Sequence, residues 1–151
     1  MSKPESQTQT PKPFLNAPVY EKHELEKILK MLSEKVEYLA ELLEKAERSI
    51  SEIHYILYYK TDVNIKIVDE IAEIGRRLKH AIYDAIDELI INTLQLDTDI
   101  EKYERQYNVE FPYVSERHLG VVMLKENETV KPVVIWTTYR EVDYYEGERN
   151  E

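Results

Sequence analysis

The chain has 151 residues, 20 basic and 30 acidic, for a formal charge of −10, and it contains no cysteine. That length leaves room for one domain of ordinary size or a small core with tails, and it excludes a large multidomain enzyme. The negative balance works against the attraction to phosphate on which most nucleic-acid binders rely, and the missing thiols exclude disulfides, thiolate metal sites, iron–sulfur clusters and cysteine nucleophiles.

Met1 to Val19 holds four of the six prolines, Pro4, Pro11, Pro13 and Pro18, among Ser, Thr, Gln and Lys. Residues 1–19 therefore read as a flexible, solvated arm, in which Phe14 and Leu15 are the groups able to dock. Met1 to Pro13 is too polar for a signal peptide, and no stretch approaches the roughly 18–20 uninterrupted apolar residues of a membrane span. The expected location is the cytoplasm, with no membrane partner.

From Tyr20 to about Lys60 the apolar residues alternate at spacings of four and three, beginning Leu25, Leu29, Leu32, Val36, Leu39, Leu43 and continuing through Ala46, Ile50, Ile53 and Leu57. A seam of that period without Gly or Pro predicts a long coiled-coil-like helix. Ile28, Leu42 and Ile56 flank the seam and widen the stripe, so this helix is expected to touch more than one neighbour.

Tyr58 to Asp62 breaks the period, and Thr61 or Asp62 is placed to cap a second helix. From Val63 the spacing turns to Ile67, Ile71, Ile74, then Leu78, Ile82, Ala85, then Leu89, Thr93, Leu96, an eleven-residue repeat that asks for little supercoiling. Two helices of different winding favour a compact antiparallel hairpin over a rod. Val68, Ala81, Ile86, Ile90 and Leu94 broaden the second apolar face, marking it as the more central element. Thr98-Asp99-Ile100-Glu101 has the capping-box pattern, so a break near Asp97 and a short helix to about Tyr107 are expected.

After Asn108 the period becomes strand-like. Gly120–Lys125 and Val133–Val142 are rich in Val, Ile, Thr and Tyr, with a turn at Glu126-Asn127-Glu128, which predicts a β-hairpin. Val109, Phe111 and Tyr113 alternate with other residues as a third strand would, confined to an edge by Pro112. The acidic stretch 143–151 reads as a charged tail. The expected class is α+β: an arm over 1–19, a helical hairpin over 20–107, a β-hairpin unit over 108–142 packed on the helices, and the tail.

Two helices shield one stripe of each, leaving Ile28, Leu42, Ile56, Ile86, Ile90 and Leu94 to be covered. Their burial is worth on the order of 10 to 15 kcal/mol in all. Association costs about 4 to 15 kcal/mol, so a homodimeric four-helix bundle is permitted, with the β-hairpin as the competing cover.

Sites for chemistry are sparse. None of the histidines, His23, His54, His80 and His118, has an acidic residue three positions before it, so a di-metal carboxylate bundle site is not expected. Glu34, Glu37, Glu41 and Glu44, like Asp84, Asp87 and Glu88, read as solvated faces, and Arg76, His80 and Asp84 as a surface ladder. The glycines, Gly75, Gly120 and Gly147, stand too far apart for a phosphate-cradling loop or a nucleophile elbow. Tyr55, Tyr58 and Tyr59 lie largely off the seam and are candidates either for partner contact or for packing under the β-hairpin. Abundant Glu, Lys, Ile and Tyr with scarce Gln is a balance found in proteins of hot environments.

These readings point to a non-enzymatic assembly or scaffold protein, without cofactor or metal, acting through self-association and protein contacts. Its candidate contact residues are Tyr55, Tyr58, Tyr59, Ile28, Leu42 and Ile56. The rival is a small acidic inhibitor, of the kind some viruses make, whose carboxylates imitate a nucleic-acid backbone in a basic groove.

Overall fold

The computed structural model describes residues 16–112 and 117–150. Three helices, α1 (Lys22–Lys60), α2 (Ile65–Leu94) and α3 (Ile100–Tyr107), accompany six strands: β1 (Val19–Glu21), β2 (Val109–Glu110), β3 (Arg117–Glu126), β4 (Thr129–Thr137), β5 (Val142–Glu146) and β6 (Glu148–Arg149). This is the expected α+β class, a long helical pair followed by strands. None of the described helices is long and apolar enough to cross a membrane.

At 1.5 Å per residue the 39 residues of α1 extend about 58 Å and the 30 of α2 about 45 Å. The turn between them is built differently from the expectation. Thr61 is spent closing α1, its hydroxyl donating to the Leu57 carbonyl at 2.7 Å, and Asn64 caps α2 by accepting from the Lys66 N–H at 2.8 Å. Gln95 ends α2 in the left-handed conformation at φ 55°, and α3 begins at the expected break, capped by Asp99 rather than Thr98.

The β-hairpin forms between β3 and β4, turning at Asn127, whose φ of 59° suits asparagine. It is the centre of a larger sheet of order β1-β3-β4-β5, in which β1 runs parallel to β3 and the other pairs are antiparallel. The last residues of the expected arm and the expected acidic tail both enter this β-structure. Of the arm, residues 1–15, including Phe14 and Leu15, lie outside the described residues. Its last residues are tied: the Pro18 carbonyl accepts from Met123 N–H at 2.8 Å, and Val19 pairs with Met123. The acidic tail is β5 and β6. Its alternating Val142 and Tyr144 face the helices while Asp143 and Tyr145 face away, so strand period decided where acidic composition did not. The strand expected at Val109 exists but pairs with β6 instead of the hairpin, and Tyr113 lies outside the described residues.

Two hydrophobic layers result. Leu25, Leu29, Leu32 and Val36 of α1 and Ile86, Ile90 and Leu94 of α2 pack on Val122, Leu124, Val133 and Ile135 of the sheet. On its other side Val121, Met123 and Val134 lie under Tyr103 and Phe111. Gly120 permits the closest approach: a Cβ there would lie 2.8 Å from both the Asp97 carbonyl oxygen and Leu96 Cβ. Asp97 and Val121 exchange backbone hydrogen bonds across that gap, covering part of β3's edge.

The sheet therefore covers part of what was expected to need a partner. Ile86, Ile90 and Leu94 are all 0% exposed within one chain. It reaches only the proximal half of the hairpin, the farthest contacts being the Arg140–Glu44 ion pair and the Tyr83–Tyr139 stack, with ring centroids 4.0 Å apart. Among the described residues, the two helices beyond Glu44 and Tyr83 pack only on each other.

Candidate interaction surface

The heptad seam of α1 holds in the proximal half and fails in the distal half. Against a straight helix a seven-residue repeat drifts about 20° per heptad. Four heptads after the fully buried Leu25, Ile53 has rotated out by about 80° and is 48% exposed.

A second row follows on α1, offset from the seam: Met31, Tyr38, Leu42, Ile53 and Ile56, all exposed. At about 100° per residue it lies nearly half a turn from Ser33, the residue whose hydroxyl accepts from the Val142 N–H at 2.9 Å and so marks the sheet side of α1. On α2 a corresponding row runs through Ile67, Ile74 and Leu89, all exposed, with Ile71 and Leu78 half-buried between them. It stands a similar angle from Asp87, which marks the sheet side of α2. In an antiparallel pair these two rows turn to the same side, so the hairpin has a back face opposite the sheet.

The six candidate contact residues fall into two groups. Leu42 and Ile56 belong to the back face, while Ile28 is half-buried against the core, a neighbour of the surface more than a part of it. Tyr55, Tyr58 and Tyr59 form a cluster at the distal end: the Tyr55 and Tyr58 rings lie 4.8 and 4.7 Å from Tyr59, and His54 stacks on Tyr58 at 6.4 Å. Of the two expectations for these tyrosines, packing under the β-hairpin is overturned, because the sheet ends short of them and Tyr59 is 65% exposed.

The distal half also differs in charge. Between Ala46 and Lys79 six acidic and six basic side chains balance, so the whole excess of −10 resides in the rest of the chain. The Arg76, His80, Asp84 ladder does not form as such; Arg76 pairs with Glu73 instead.

Several polar groups of the proximal half are engaged in structure. Asp87, expected on a solvated face, is buried, and Arg117 donates to its Oδ2 at 2.6 Å. The Tyr139 hydroxyl donates to the same oxygen at 3.3 Å. Burial and the Asp87 charge push the Tyr139 hydroxyl up to about 12. The signal for this was local: Tyr83, Ile90, Ile91 and Leu94 surround Asp87 at helical spacing, so its face is apolar. Asp97 accepts from the Tyr103 hydroxyl at 2.7 Å and from Lys102 at 2.8 Å. Its burial works to raise its pKa, but those two hydrogen bonds prevail and hold it below the usual carboxylate range. The Tyr103 hydroxyl is raised by burial and by Asp97, and it accepts from the Asn16 and Ala17 N–H groups at 3.0 and 2.8 Å.

An open cleft of about 720 Å³ lies between α1 and β5, lined by Glu26, Lys30, Ser33 and Tyr144 among others. Its Ser33 hydroxyl is already engaged with Val142, and no histidine lines it. Among the described residues no group of three His, Asp or Glu side chains is arranged to hold a metal ion. No protein-family model matches the chain, and neither a curated protein nor a solved structure is significantly similar to it.

Proposed function

We propose that this is a non-enzymatic assembly protein, working by self-association and by protein contacts made through its helical hairpin. The observation that carries the reading is the distribution of apolar surface: the sheet covers one side of the proximal half, while the back face and the distal tyrosines stay uncovered. Tyrosine favours such contacts because it offers a large amphipathic area at little conformational cost. Sedimentation equilibrium at low and high salt tests it. The expected result is a mass above one chain at micromolar concentration that persists in high salt, as apolar association does. A single-chain mass at both salts would overturn it.

One observation favours the second reading, an acidic inhibitor that occupies a basic groove. The negative excess lies wholly outside the distal half, and Glu34, Glu37 and Glu41 descend the exposed side of α1 in its proximal half. Such binding would be electrostatic and would weaken steeply between low and high salt, the opposite of the first expectation.

A further inference from the structure

The back face has a composition unlike the rest of the surface. Along α1 its polar members between Met31 and Lys60 are Lys35, Lys45, Ser49 and Lys60, and no carboxylate interrupts the row. Along α2 the row from Ile67 to Leu89 holds Ile, Leu and Ala with no charged group at all. In a chain carrying ten excess negative charges, this strip is where two copies can approach without opposing carboxylates. The lysine stems add apolar area while their ammonium groups reach the rim.

The size of the face fits as well. Met31 to Ile56 spans about 38 Å of helix, and two helices packed side by side present a width of about 20 Å. That is about 750 Å² per copy, or about 1,500 Å² for a pair, inside the range of about 1,200–2,000 Å² found for stable specific interfaces. A single peptide helix from another partner would cover only about half of that width. A second hairpin, being two helices wide, covers all of it.

We infer that the occupant of the back face is a second copy of this chain, so that two hairpins form a four-helix bundle with the sheets outside and the distal tyrosines still open. This rests on the assembly reading above and adds the face and the identity of the partner. Because the chain lacks cysteine, introduced thiols report cleanly on it. Ser49 and Ser51 are both exposed and two residues apart, but Ser49 lies in the back row and Ser51 turns about 160° away from it.

The experiment compares maleimide labelling of the full-length Ser49→Cys and Ser51→Cys proteins across a dilution series, with the mass followed by light scattering. Labelling at position 49 is expected to slow at least about tenfold in the concentrated, dimeric protein and to recover on dilution, while labelling at position 51 stays constant. Leu42→Glu combined with Ile74→Glu is expected to give a single-chain mass with an unchanged helical circular dichroism spectrum. A dimer that leaves position 49 as reactive as position 51, or that survives the double substitution, would overturn the back-face inference and leave the assembly reading standing. A single-chain mass for the unmodified protein would remove both.

Discussion

The proximal and distal halves of the hairpin are made of the same two helices and the same apolar vocabulary, yet the buried residues lie almost all in the proximal half, Val68 being the exception among the described residues. There Ile86, Ile90 and Leu94 sit between helix and sheet, and ion pairs such as Arg117–Asp87 close the margins. The distal half is a bare pair with half-buried Ile50, Leu57 and Ile71 between the helices and exposed apolar residues around them. Helical periodicity alone therefore does not determine burial; what packs on the helix does.

Ile90 offers the strongest way to break this contrast. Ile90→Ala should cost about 2–5 kcal/mol, and Leu57→Ala at the distal end about 1 kcal/mol. Denaturant unfolding followed by fluorescence of Trp136, the single tryptophan and a residue of β4, reads both. Equal losses would mean that the distal half is as well packed as the proximal one.

A smaller effect is expected at Asp97, which joins α3 to the segment preceding it. Its folded pKa is depressed, so its contribution to stability is complete at neutral pH and is lost as the pH falls through the folded value, below about pH 4. Asp97→Asn should cost about 1–3 kcal/mol at pH 7, with the difference from the unsubstituted protein vanishing in acid. A loss that stays constant with pH would assign the role to shape instead of charge.

The smallest effect distinguishes the halves by sign. A Cβ at Gly75 would meet only Ile50 Cγ2, at 3.4 Å, an ordinary contact. Gly75→Ala is thus expected to stabilise the distal half by about 0.5–1 kcal/mol through helix propensity. Hydrogen exchange should slow near residue 75, and the Trp136 unfolding midpoint should rise slightly. Faster exchange there would show that the distal helices pack more closely than the structure has them.

The helices, the break near Asp97 and the β3–β4 hairpin were legible because each is set by local period and turn chemistry. The extent of the sheet was not. β1 pairs with β3 about 100 residues away, and such pairing leaves no periodic trace over three residues. In the acidic stretch after Val142 the charge points to a tail, whereas the alternation of Val142 and Tyr144 is the signal the sheet follows. Asp87 stands beside Asp84 and Glu88 in sequence, but its neighbours at helical spacing are apolar, and those decide its burial. Of the candidate surface, Leu42, Ile56 and the three distal tyrosines could be named from spacing, whereas the back face as a continuous strip needed the sheet to define which side is covered.

The central hairpin of the sheet is flanked by a strand from residue 19 on one edge and one ending at residue 146 on the other, so this fabric draws on nearly the full described length. During synthesis, at about 5–20 residues per second, both long helices are made before β4 and β5. Until then Ile86, Ile90 and Leu94 have no lid, and the nascent hairpin is greasy on both sides. Chaperone demand should therefore peak in that interval, and a frameshift past residue 126 would strand the protein in its stickiest form.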